Sequence, residues 1–456
     1  MLDSNFNKEL KSIMNYILNY GINNLSYKIN TYKDISKTDD NKTEFISKVH
    51  LGYMKAQNLI VQNLLLLGNK RVRIKKQIKV YRRERADKAL IQKYENDLQI
   101  IIHKEKILRK LADTIAWTVL GNDITVVRRL YKHIPPVEIF NSNLNHDLEV
   151  VGKIFEEDNT HFPLVTDITS FIQVGDILVK DYFGHSAQLI ELKEGSVNEE
   201  IEEIINDYFT NRCDRKLYYE LSEKDTKFQK QFERYIKQQQ KGLNTTEIIN
   251  SGKGKDDVTG LNIRTVNDVF YTQHFDTVIK KMLEEVNKKN YSIRTIDDCL
   301  IVGVYNTSKI PIYRGFEAWK QSVEVDFPTI NLVQFLDSPV AHPIFLHPFS
   351  IDDKIKLVNG DKMVLMSLDV RKWFEILESK DLEVKLLTKK QTARMNTVPD
   401  HSKAFEYNGQ AIEVKFGGIS QILFDGIFER MFNQFVRPSS MGDYLKQGLS
   451  SAKTYL

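Results

Sequence analysis

The stretch that most restricts the fold runs from Gly175 to Lys193, GDILVKDYFGHSAQLIELK. Two short apolar runs flank Gly184-His185, and this pattern predicts two strands joined by a turn. Side chains along a strand alternate faces. Ile177 and Val179 thus form an apolar face opposite Asp176, while Glu191 and Lys193 share a face that Ile190 and Leu192 do not. Pairing across the turn brings two carboxylates and an ammonium to one rim of a buried sheet. A carboxylate entering an apolar strand is costly unless it is paired or used.

The chain has 456 residues, which predicts two or three domains rather than one core. With 65 Lys and Arg against 61 Asp and Glu, the net charge of +4 says little about partners, so the distribution of charge matters more. Two cysteines, Cys213 and Cys299, exclude a disulfide scaffold and a four-cysteine zinc site. A reduced cytoplasm is the expected location. The start, MLDSNFNKELKSIMNYILNYG, has no basic leader followed by an apolar run, so no signal peptide is expected. Membrane spans need about 18 or more apolar residues, and no stretch approaches that.

Residues 1–135 read as a helical region. Phe6, Leu10, Ile13, Met14 and Ile17 recur at helical spacing, and a second helix follows through Leu51, Met54, Leu59 and Leu64, with Gly68-Asn69 as its expected end. A basic segment comes next. Arg71, Arg73, Lys75, Lys76, Lys79, Arg82, Arg83 and Arg85 crowd it, and the apolar spacing beyond predicts a long antiparallel helical hairpin. A solvated charged face is the plain reading of such a run. Its density makes contact with a nucleic-acid backbone an equal expectation. Only Tyr81 interrupts it as an aromatic, which does not predict base stacking there.

Pro135-Pro136 ends the helical region. Residues 136–250 then alternate strands and helices and predict an α/β core, which can borrow the helix over 112–130. Residues 250–260, NSGKGKDDVTG, read as a flexible linker and lack the spacing of a phosphate-binding P-loop. Residues 261–456 predict an α+β accessory domain, with strands at CLIVGVYN, DKMVLMSLDV, LEVKLLT and AIEVKF.

Hydrolysis of a phosphodiester requires charge neutralisation on the phosphate, an activated water and a stabilised leaving oxygen. An ion such as Mg²⁺ held by carboxylates, with a lysine beside it, supplies these. An Asp on one strand and Glu-x-Lys on the next resembles the PD-(D/E)xK nuclease superfamily, the restriction-endonuclease-like fold. The matching residues are Asp176, Glu191 and Lys193. The resemblance implies a central mixed sheet flanked by helices, with Asp176 and Glu191 as ligands of Mg²⁺ or Mn²⁺ and Lys193 positioning the attacking water. Gly175 stands where the family name has proline. Downstream, Gln231 and Tyr235 give Q-x-x-x-Y, similar to RecB-type nuclease domains, and would orient the site or a DNA phosphate. An upstream helix in this fold often adds another acid. Asp113, Asp123 and Glu138 are candidates, and Asp113 is preferred for its place in a strongly helical stretch.

The resemblance spans roughly residues 110–245 and implies a metal-dependent DNA nuclease, with RNA as an alternative substrate. Nuclease cores joined to unrelated extra domains are similar to bacterial defence proteins, which extends the expectation to antiphage defence. A homodimer or a defence-system partner protein is compatible with the hairpin. The alternative is a catalytically inactive protein of the same fold that binds nucleic acid or a partner subunit. Elsewhere, His342 and His347 in AHPIFLHP read as packed or hydrogen-bonded histidines in a loop rather than metal ligands, and Trp117, Trp319 and Trp373 read as core.

Overall fold

A computed structural model describes residues 4–26, 32–139, 144–192, 195–255, 260, 262–264, 271–307, 312–396 and 403–455. The first helix, α1, is Ser4–Leu18. Helix α2, Asp39–Arg83, is 45 residues long, and the Thr38 hydroxyl caps it by accepting the Asn41 N–H at 3.2 Å. It runs straight through Gly68-Asn69, where the sequence predicts an end. A side chain at Gly68 would meet nothing, and Lys and Arg after it are good helix formers, so a glycine cost of about 1 kcal/mol does not break the helix. The turn falls instead at Glu84 to Asp87, with Arg85 at φ +52. Asp87 accepts the Ala89 N–H at 3.0 Å and opens α3, Lys88–Val119. Tyr81 meets Tyr94 at 5.2 Å and Arg82 meets Glu95 at 2.6 Å. These contacts, and the side-chain bond between Tyr53 and Thr118, make α2 and α3 an antiparallel hairpin.

The chain divides into two compact units. One holds residues 15–101 and 115–266, and the other residues 1–14, 102–114 and 267–456. Both therefore draw on the helical region at the start of the chain. Among the described residues no helix is long and apolar enough to cross a membrane.

In the first unit, helices α4 (Ile124–Leu130) and α5 (Leu144–Glu157) precede three strands, β1 (His161–Val165), β2 (Ile177–Asp181) and β3 (Ala187–Ile190). They form an antiparallel sheet in the order β1-β2-β3. The sheet is antiparallel throughout, not mixed: β2 and β3 are joined by a tight turn, and the loop after β1, which holds a 3-10 turn at Thr166–Ile168, returns the chain antiparallel. Phe162, Leu164, Ile177 and Leu178 are fully buried. Each outer edge is closed by a side-chain amide. Gln57 of α2 accepts the Val165 N–H at 2.8 Å on the β1 edge. Asn250 accepts the Ala187 N–H at 2.8 Å and donates to the Ala187 carbonyl at 2.9 Å on the β3 edge. These bonds satisfy backbone groups at both edges that would otherwise face a further strand.

Helices α6 (Ser196–Asn211), α7 (Asp214–Ser222) and α8 (Thr226–Ser251) follow, with Ile201, Ile204, Phe228 and Tyr235 as their shared core. The expected linker at 250–260 begins otherwise. Gly252, at φ +69, caps α8, and β4 (Lys253–Lys255) pairs with β5 (Asn262–Arg264). Residues 256–259 lie outside the described residues.

In the second unit, helix α9 (Asp276–Lys289) packs Ile279, Met282, Leu283 and Val286 on β6 (Tyr291–Ile296) and β7 (Leu300–Asn306). With β8 (Ile330–Asn331) and β9 (Lys362–Leu368) these make an antiparallel sheet in the order β6-β7-β9-β8. The hydrophobic run of β7 is buried along nearly its whole length. Helix α10 (Ile351–Val358) supplies Asp353, which pairs with the buried Lys362 at 2.6 Å. Helix α11 (Val370–Glu378) then leads to β10 (Glu383–Leu386), β11 (Glu406–Tyr407), β12 (Gln410–Phe416) and β13 (Ile419–Ile422), in which β12 pairs with the other three. Helix α12, Pro438–Tyr455, closes the chain. The overall class is mixed α/β with several small antiparallel sheets.

His342 and His347 pack ring to ring at 5.1 Å, and His347 lies 4.4 Å from the Phe435 ring. Burial holds His342 down at about 4 and His347 well below the usual histidine range. The unfolded chain takes up these protons near pH 6.5 while the folded chain refuses them. Their contribution to stability is therefore full above that pH and falls as pH drops toward 4, by about 3 kcal/mol for His342 alone. Denaturation followed from pH 7 to 4.5 is expected to show the double variant His342→Leu, His347→Leu gaining stability relative to wild type as pH falls.

Candidate functional site

The register of β2 and β3 pairs Ile177 with Ile190 and Leu178 with Leu189. One further step places Asp176 opposite Glu191. The Asp176 N–H donates to the Ile190 carbonyl at 2.8 Å, and its carbonyl accepts the Thr166 N–H at 2.9 Å. Its side-chain Oδ2 accepts the Leu192 N–H at 2.6 Å. Gly175 precedes it at φ +73, where a Cβ would sit 3.1 Å from the Ile190 carbonyl oxygen. Proline cannot adopt that φ, so this backbone requires the glycine found in place of the family's proline.

Like charges directly across a strand pair repel. The Asp176 carboxyl is pushed up to about 7, first by burial and then by the charge of Glu191. The Leu192 N–H opposes this, while Asp147 and Asp167 add to it. A site that resists its own ionisation near neutral pH is where a cation would bind.

The sequence places Glu191 and Lys193 inside the second strand. The strand ends at Ile190, so Glu191 lies just beyond it, and Lys193 falls outside the described residues. Of the Q-x-x-x-Y pair, the Tyr235 hydroxyl donates to Glu202 Oε1 at 2.9 Å and the Gln231 amide donates to Asn198 Oδ1 at 3.1 Å. Both therefore brace α6. Burial, followed by the Glu202 bond, pushes the Tyr235 phenol up to about 12, and Glu191 contributes to that rise through space.

The upstream acids have other engagements. Asp113, in the other unit, is buried in an ion pair with Lys110 at 2.9 Å. Asp123 caps α4 through the Thr125 N–H at 2.7 Å. Glu138 pairs with Arg71 at 3.1 Å and Lys75 at 3.4 Å. The acid that acts on Asp176 from a helix is Asp147 of α5, which is buried. Sequence reasoning missed it. Its signal was available, because Leu144, Asp147 and Val151 fall at helical spacing and put a carboxylate on an apolar stripe.

Among the described residues no group of three or more His, Cys, Asp or Glu side chains is placed to hold a metal ion. The oxygen donors of Asp176 and Glu191 nevertheless fit a hard divalent cation, since Mg²⁺ is commonly held by one or two carboxylates and completes its shell with water and phosphate oxygens. A cavity of about 560 Å³ in the same unit, walled by Ile17, Val49, Tyr53 and Val119, includes neither carboxylate. No family model, curated protein or solved structure matches the chain.

Proposed function

We propose that this protein is a metal-dependent nuclease of the PD-(D/E)xK type, acting on DNA in the cytoplasm, with antiphage defence as its setting. The observation that carries the reading is the facing pair Asp176 and Glu191, in which burial and mutual repulsion hold one carboxyl near neutrality. Bound there, Mg²⁺ would offset phosphate charge and make a water more acidic. Asp176 is oriented for that role by the Leu192 N–H and by a main chain fixed on both sides. Lys193 would orient the water and stabilise the charge that develops. Tyr235 and Gln231 fix α6 beside the site.

The basic hairpin would hold the duplex. Arg71 and Lys75 share Glu138, and Arg82 pairs with Glu95. Arg73, Lys76, Lys79, Arg83 and Arg85 are exposed and have no carboxylate partner among the described residues. Replacing Arg82, Arg83 and Arg85 together with Gln is expected to weaken duplex binding and lower its salt slope by about 2–3, at about 0.9 per phosphate contact. Titrations over a range of salt concentrations check this, and an unchanged slope would remove the hairpin from the interface.

The test of the proposal is cleavage of DNA with Mg²⁺ or with a chelator present. Binding without cleavage under any metal would favour the inactive, binding-only alternative.

A further inference from the structure

We propose that the exposed flank of α8 binds a single strand of nucleic acid through its phosphates. Lys227, Lys230, Arg234, Lys237 and Lys241 follow one another at alternating spacings of three and four. On a helix of 3.6 residues per turn this places them on one face, one cation per turn of about 5.4 Å, over about 21 Å. The helix turns another face inward, where Phe228 and Tyr235 are buried. Within this run five cations stand against one acid, Glu233.

A solvated charged face usually mixes signs and pairs them. The neighbouring cations do so, Lys216 with Asp207 at 2.8 Å and Lys224 with Glu200. The five cations of the α8 flank have no carboxylate partner among the described residues. An uncompensated row with regular spacing is complementary to a polyanion of regular charge.

A second observation selects a single strand. Helix α7 is anchored through Leu217 and Leu221 on the core that includes Phe228, at the start of α8. It exposes Tyr218 at 74% and Tyr219 at 70%. Phe209, also exposed, carries the Arg212 guanidinium over its ring at 4.9 Å. Tyr218 and Tyr219 thus stand exposed on a helix that shares its core with the cationic one, and exposed aromatic faces stack unpaired bases, which a duplex keeps covered. In the basic hairpin the one aromatic among the cations, Tyr81, is occupied by Tyr94.

Helix α8 also packs on β3, the strand that leads directly to Glu191. A strand laid along the flank would therefore run on the helix that backs the carboxylate pair. This link to cleavage rests on the nuclease reading, whereas the binding itself does not.

The experiment is fluorescence anisotropy with a labelled oligothymidylate in the presence of EDTA. It compares the full-length wild type with the triple variant Lys230→Gln, Arg234→Gln, Lys237→Gln and with Tyr218→Ala, Tyr219→Ala. Gln keeps the helix propensity of these exposed positions, and the melting temperature checks folding. Loss of three contacts is expected to cut affinity tenfold or more and to lower the salt slope by about 2, at about 0.7 per contact on a single strand. The tyrosine variant is expected to weaken oligothymidylate binding and leave binding of polyphosphate, which has no bases, unchanged. The proposal is overturned if the wild type fails to bind oligothymidylate at about 50 mM salt, if the triple variant binds like wild type, or if anionic vesicles outcompete the oligonucleotide. Asp176→Asn is expected to retain binding. Strand binding that depends on the α8 flank, in a wild type that cleaves nothing, would sink the nuclease reading and leave this one standing.

Discussion

Asp176→Asn is expected to reduce Mg²⁺-dependent cleavage by roughly a thousandfold or more and, at the same time, to stabilise the protein above pH 7. The two effects have one origin. The Asp176 carboxyl is held at about 7 by burial and by Glu191, against 3.8 for an unperturbed aspartate. A raised carboxyl favours the protonated folded state. That contribution is complete below pH 3.8 and is lost as pH rises through about 7. At pH 8 the ionised side chain costs roughly 2–3 kcal/mol, after discounting for its partial contact with solvent. Asn has no charge to repel Glu191, and its Oδ1 can still accept the Leu192 N–H. The variant should therefore melt several degrees above wild type at pH 8, with the gap shrinking steadily as pH falls toward 4. Added Mg²⁺ should raise the melting temperature of wild type and not that of the variant. A structural carboxylate would show the opposite pattern, with stability lost on substitution.

Gln57→Leu is the second large effect, and it acts on the scaffold. Gln57 is completely buried, with its Oε1 on the Val165 N–H at 2.8 Å and its Nε2 reaching the Pro163 carbonyl at 3.4 Å. Because β1 lies at the sheet edge, no strand replaces these bonds when the amide is lost. A buried donor left without a partner costs about 1–3 kcal/mol, and the neighbouring carbonyl adds to this, so a loss of about 3–4 kcal/mol is expected despite the similar size of leucine. Chemical denaturation measures it, and hydrogen exchange at the Val165 amide locates it. Asn250→Ala removes the corresponding bonds at the β3 edge, where Asn250 is exposed and water can substitute, so its cost should be smaller. Unchanged protection of Val165 in Gln57→Leu would show that the amide does not close the edge.

The local elements of the site were legible because they depend on near neighbours. The alternation from Ile177 to Val179 and the turn at Gly184-His185 mark β2 and β3, and Thr226–Ser251 is a helix by period alone. In the second unit, β7, β9, β10 and β12 fall on the expected apolar runs. What failed depends on context. Gly68 reads as a stop signal, but a long, packed helix absorbs its cost. The edge-closing amides of Gln57 and Asn250 lie 108 and 63 residues from their strand partners, and no local pattern announces them. Asp147 stands on the apolar face of α5, but only the fold brings it within reach of Asp176. The α8 flank is inconspicuous in sequence because its cations are spaced three and four apart among other residues. The run from Lys70 onward is denser in cations, yet three of those cations have carboxylate partners.

The central claim is most directly tested by one cleavage assay. Linear, circular and single-stranded DNA and RNA are incubated with wild type, Asp176→Ala and Lys193→Ala, in Mg²⁺ and in chelator, with folding of each variant verified by circular dichroism. The account predicts cleavage of DNA by wild type in Mg²⁺ only, and its loss in both variants. Equal cleavage by the variants, or no cleavage of any substrate by folded wild type, would contradict it.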